Sequence, residues 1–196
     1  MKKIKNFKEA IGVLLLLLTL LLIVSFTNAQ VKYSAKDDLN LLVSGTSTLH
    51  DWDMKEAKGV CDATFTFNAV GQINGLTSLS VIIPAEGLKS EHTGMDKNAY
   101  KALKTDKNPN LYFKLTSATV APDGTIKCVG KLTIAGTTLE TDLVTTSKIN
   151  ADKSITISGK KNISMKDFKM EPPTFMMGTI KTGNDIVLKL DVTLRK

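Results

Sequence analysis

Arginine is almost missing from this 196-residue chain, where Arg195 is the only one. Two His, two Cys and one Trp complete the scarcities, and aromatic residues make up 6% of the sequence. Nucleic-acid recognition favours Arg forks interleaved with stacking aromatics; cationic charge carried by scattered Lys makes a solvated surface instead. His50 and His92 stand neither four apart on one helix face nor beside a Cys, which leaves little material for a metal centre. A charged fraction of 23% with a mean hydropathy of +0.01 excludes both a disordered chain and a polytopic membrane protein. The length is that of one domain.

One long hydrophobic run is present, at the start. Lys2, Lys3, Lys5 and Lys8 precede an apolar stretch from Ile11 to Phe26, followed by the small-residue site Thr27-Asn28-Ala29. Charge, greasy segment and small residues in that order predict a secretory signal peptide over residues 1–29, cleaved after Ala29. Its strongly apolar part, Val13 to Val24, is 12 residues, too short for a hydrocarbon core of roughly 30 Å. No Cys lies near that site, so no lipid-modified N-terminus is expected. The expected location is periplasmic or secreted. Removing four Lys and one Glu leaves 22 basic and 18 acidic residues over 30–196, enough chain for a core without staples.

Beyond Ala29 the dominant period is two. Ile186, Leu188, Leu190, Val192 and Leu194 share one face, opposite Lys189, Asp191, Thr193 and Arg195. The same alternation carries Cys61, Ala63, Phe65 and Phe67; Leu111, Phe113 and Leu115; and Ile126, Cys128, Leu132 and Ile134. Weaker runs fall at 39–48, 79–84, 139–145 and 155–165. These are eight predicted strands, with turn residues at Asn74-Gly75, Asp123-Gly124, Gly136 and Gly183-Asn184. Met95, Ala99, Ala102 and Leu103 stand at helical spacing instead, with Asp96 as the expected cap and Asn108-Pro109 as the stop. The pattern predicts an all-β antiparallel domain with one short helix between the third and fourth strands. A sandwich or an eight-stranded barrel would bury one face of each strand, and a barrel of that size is either filled by side chains or holds one small ligand.

Particular residues carry a likeness. Thr48-Leu49-His50-Asp51-Trp52, Leu88-Lys89-Ser90-Glu91-His92, Met95-Asp96, Asn108-Pro109-Asn110-Leu111-Tyr112-Phe113, Gly130-Lys131-Leu132-Thr133-Ile134-Ala135-Gly136 and Lys166-Asp167-Phe168 occur in that order. In order and separation they resemble the YceI-like family of bacterial exported proteins, from about Tyr33 to the C-terminus. The resemblance implies a lipocalin-like eight-stranded antiparallel barrel whose elongated apolar interior holds a polyisoprenoid-type lipid. The chain departs from the family pattern at Met95, at Leu139-Glu140 and at Pro172-Pro173 with Phe175, Met176 and Met177, which bears on headgroup preference.

On that reading the ligand-binding residues are Phe65, Phe67, Val81, Ile83, Phe113, Leu115, Leu132, Ile134, Phe168, Phe175, Leu188, Leu190, His50 and Trp52. Met165, Met170, Met176 and Met177 supply adaptable thioethers for an entrance loop, and Lys89 or Lys97 would meet an anionic headgroup. The same inward residues also suit a filled barrel acting as a structural, interaction or stress-response module. An outer-membrane barrel would turn the apolar face outward, and three Tyr with one Trp make poor girdles. Ser90, His92 and Asp96 have the residue types of a triad without its geometry, so no catalytic residue, metal or cofactor is expected. An exported chain with two Cys invites one disulfide, but Cys61 and Cys128 should point inward from non-adjacent strands, beyond the ~7 Å Cα limit for bridging, which favours two buried thiols.

Overall fold

Alternating side chains become alternating burial. In the computed structural model, which describes residues 29–196, the chain forms β1 (Gln30–Lys36), β2 (Leu39–Ser47), β3 (Trp52–Glu56), β4 (Val60–Phe67) and β5 (Ile73–Pro84). After the helix α1 (Thr93–Leu103) come β6 (Asn110–Val120), β7 (Thr125–Ile134), β8 (Thr137–Ile149), β9 (Ile155–Ser164), β10 (Thr174–Phe175) and β11 (Ile180–Leu194). The export signal read over residues 1–29 lies, apart from Ala29, outside the described residues.

All pairings are antiparallel, in the order β1-β4-β5-β6-β7-β8-β9-β11-β2-β3, with β10 added beside β11. The sheet curls on itself, because β1 runs on into β2 round Asp37-Asp38 while the two pair with different neighbours. Ser34 and Arg195 exchange backbone hydrogen bonds of 2.7 and 2.8 Å, drawing the β1 edge against the end of β11. The Arg195 guanidinium adds an ion pair to Asp38 at the same corner.

The expected eight runs are all strands, yet the described residues form eleven. Three additions explain the difference: β1, β3 and the two-residue β10. Two expected turns are corrected as well. Asn74-Gly75 lies inside β5, where the β4–β5 register shifts, and the hairpin turn is made at Asn68–Gln72 instead. Gly183-Asn184 lies inside β11 at another register shift. Both are bulges, where one strand carries extra residues and bends.

Helix α1 occupies the expected place, but Asp96 does not cap it. His92 is the N-cap and makes no side-chain cap bond. Asp96 is buried in the first turn and reaches back, its Oδ1 accepting from Ser90 N and Ser90 Oγ, both at 2.7 Å. The helix ends on Lys104 in the left-handed region, before Asn108-Pro109 is reached.

Along the curled sheet the interior has two halves. At one end Phe65, Ile126, Ile155 and Leu194 are fully buried, and Tyr33 packs edge-on to Phe65 at 5.7 Å. Towards α1, inward residues such as Leu111, Leu132, Leu188 and Leu190 are only half-buried, although their strand parity is the same. They border empty space.

Candidate functional site

That space is a cavity of about 480 Å³. Leu41 and Val43 of β2, Val81 and Ile83 of β5, Phe113 of β6, Leu132 and Ile134 of β7, Ile157 of β9 and Leu188, Leu190 and Val192 of β11 form its wall. On β11 the lining runs from Ile180, past the bulge, to Val192. At ~3.3 Å per residue along strands tilted by about 40°, the regular stretch from Ile186 to Val192 alone gives roughly 15 Å of depth. Helix α1 roofs one side of the mouth with Met95, Ala99, Ala102 and Leu103. Met165, Met170, Pro173 and Phe175 close the other, and His50 and Trp52 stand at the rim.

Local packing creates this space. Leu190 has Leu41 as its cross-strand neighbour on β2 and Gly159 on β9; Gly159 adds no side chain of its own to the wall, and the Thr145 methyl lies beside it. Four residues on, Leu194 faces Ile155 and both are fully buried. Trp52 can lie along the rim only because its partner Gly45 has no Cβ, which would stand 2.6 Å from Trp52 Cε2. The Trp52 indole donates to Thr46 O at 3.0 Å, which fixes the ring. The Ser47 hydroxyl donates to His50 O at 2.8 Å and accepts from His50 N at 3.2 Å, which holds the rim turn.

Ten of the fourteen expected residues line the cavity together: Val81, Ile83, Phe113, Leu132, Ile134, Phe175, Leu188, Leu190, His50 and Trp52. Four do not. Phe65 and Phe67 point inward but at the filled end, where both rings pack on Tyr33. Leu115 packs on the core beside the β6–β7 bulge, below the cavity floor. Phe168 belongs to a single 3-10 turn, Lys166–Phe168, is buried with the core and borders a second hollow beside β8 and β9 instead of the cavity. Sequence reasoning missed the roof from α1, although the stripe of Met95, Ala99, Ala102 and Leu103 carried the signal.

The methionines divide. Met165 and Met170 are buried and line the cavity, whereas Met176 and Met177 are 75% and 108% exposed. Neither Lys89 nor Lys97 reaches the cavity. Lys89 Nζ sits over the Tyr100 ring and donates to Tyr100 Oη at 2.6 Å, and that hydrogen bond, with the nearby Asp96 and Glu86 charges, pushes its pKa up. The cations that border the cavity are Lys160 and Lys161.

The triad-like residues make a loop clamp. Ser90 Oγ donates towards the Asp96 carboxylate and the His92 carbonyl, 2.7 and 3.0 Å away, and accepts from His92 N. Cys61 and Cys128 are free and buried, with β5 and β6 between their strands. Burial, then the neighbouring Asp62 charge, pushes the Cys61 thiol up to about 12, and burial raises Cys128. Among the described residues no three His, Cys, Asp or Glu side chains gather as metal ligands, and no helix is long and apolar enough to cross a membrane.

Solved structures share the fold. BcnA of Burkholderia cenocepacia is similar at a TM-score of 0.62 and 16% identity, covering 80% of this chain and 96% of that one. The YceI protein of Campylobacter jejuni gives 0.55 and 22%, covering 69% and 81%. A polyisoprenoid binding domain from Saccharophagus degradans, implicated in plant cell wall breakdown, gives 0.59 and 9%, covering 85% and 99%. No curated protein matches the chain. The sequence profile of the YceI-like domain matches residues 26–194, and with that match spanning nearly the whole chain, the protein belongs to the YceI-like family.

Proposed function

We propose that this protein is an exported, periplasmic carrier or sequestering protein that shelters an apolar, isoprenoid-type lipid in its barrel. One observation carries the reading: inward Leu side chains around Leu188 and Leu190 line a deep, almost wholly apolar cavity instead of packing against one another. An apolar chain entering it leaves water at roughly 0.8 kcal/mol per CH₂, so no special polar device is needed. The strand faces turned outward carry Lys, Thr, Ser and Asp, as a protein surrounded by water requires and a lipid-facing barrel does not. The mechanism is desolvation and involves no bond chemistry. The polyisoprenoid binding domain of Saccharophagus degradans has the same fold, which agrees with this ligand class.

The test is organic extraction of protein purified from the periplasmic fraction of its expression host, followed by lipid mass spectrometry. A long isoprenoid recovered in about equimolar amount supports the proposal. Recovery of none, together with no uptake of offered isoprenoids, favours a module used only for protein contacts.

A further inference from the structure

The wall of the cavity is not hydrogen-bonded all the way round. The β8–β9 ladder runs from Ile149↔Ile155 to Thr145↔Gly159 and stops. Beyond it, the first half of β8 keeps its ladder to β7 alone, and residues 160–164 of β9 keep theirs to β11 alone. The two strands therefore splay over the hollow half of the barrel. Two things span the split. Lys161 Nζ bonds Asp142 Oδ1 at 2.8 Å, and the buried Phe168 of the 3-10 turn packs where the turn meets both strands. Lys161 and Ile186 border both the cavity and a second hollow lined by Phe168, Asp142 and Leu139.

The rim at α1 is held far more firmly. Asp96 ties the helix to Ser90, Tyr100 bonds the carbonyls of Glu86 and Leu88, Thr105 bonds Glu86, and Lys104 reaches Lys169 O. Opening there breaks several hydrogen bonds at once. Parting the seam breaks no ladder bond; it breaks one exposed ion pair, which contributes little, and lifts the buried Phe168 ring.

Resting on the apolar-guest reading above, we propose that the β8–β9 seam is a side port through which the guest's chain enters and leaves the cavity, with Phe168 as its plug and Lys161–Asp142 as its latch. A side port lets a long chain slide in lengthwise without displacing the roof helix.

The experiment follows binding and release of the apolar fluorophore diphenylhexatriene by stopped flow on delipidated protein. Asp142→Asn is expected to raise both rates together, roughly two- to fivefold as befits an exposed ion pair, with the dissociation constant unchanged. Salt at about 1 M, which screens charges beyond about 3 Å, should speed the wild type and leave Asp142→Asn unaffected. Phe168→Leu, which keeps an apolar plug of smaller size, should speed exchange whatever the salt. Probe uptake with wild-type rates in both variants overturns the port alone. Failure of the wild-type protein to take up the probe overturns the apolar-guest reading and the port with it.

Discussion

Leu190 and Leu194 lie on the same face of β11, one turned into the hollow half and one into the filled half, so truncating each should have different costs. Leu194 is fully buried against the fully buried Ile155. Leu194→Ala removes close contacts on every side and should cost about 3–5 kcal/mol, as well-packed Leu→Ala changes do. At ~2–4 °C per kcal/mol for a domain of this size, the midpoint falls by roughly 10 °C. Leu190 borders Gly159 and open lumen, so many of its atoms have no partner to lose. Leu190→Ala should cost about 1 kcal/mol, near the transfer value of the area it does bury. Enlargement should reverse the ranking: Leu194→Phe overpacks and costs about 1–3 kcal/mol, whereas Leu190→Phe grows into space and is close to neutral. Urea and thermal unfolding of delipidated protein measure all four. Equal losses for the two alanine variants would mean that the lumen beside Leu190 is packed solid, and the reasoning would fail.

Three further outcomes follow from particular contacts. Gly45→Ala places a methyl against the Trp52 ring and should swing the indole off the rim, seen as a shift of the single-Trp emission with weaker guest binding. Gly87→Ala drives a methyl into the Glu56 carboxylate, which is buried, accepts from Ala57 N and Lys58 N through Oε1, and has no partner for Oε2; a loss of about 2 kcal/mol or more in urea unfolding is expected, and a neutral result would contradict the packing. Cys61 has an ordinary pKa of 9.0 and a folded value of about 12, so the unfolded chain sheds its thiol proton first. Stability from this group is intact below about 9 and declines as pH climbs towards 12. Native protein should resist thiol reagents at pH 8 and react at both Cys once unfolded; rapid labelling of the native state would count against burial.

Much of the fold was legible because strand parity is written in residue types. The runs at Ile186–Leu194 and Ile126–Ile134 alternate apolar and polar side chains and became β11 and β7. What stayed hidden had weaker chemistry. β1 turns Tyr33 and Ala35 inward among small and charged residues, and β3 has five residues whose inward set of Trp52, Met54 and Glu56 breaks the apolar rule. Asn74-Gly75 and Gly183-Asn184 have turn composition but serve as bulges, a choice that depends on which strands lie alongside. For the site, parity distinguished inward from outward and could not give depth. Phe65 and Leu190 obey the same alternation, and the pairing register, which sets Gly159 beside Leu190 and Ile155 beside Leu194, is not written in it. The seam was likewise unreadable, since β8 and β9 both look like uninterrupted strands.

The most direct test of a hollow, lipid-holding barrel is a crystal structure of the protein grown with a long-chain isoprenoid. Continuous density running from the rim at Trp52 past Phe113 and Leu190 to the floor at Val192 is the expected result. A lumen closed by repacked side chains, with isoprenoid on the outer surface or nowhere, would contradict it.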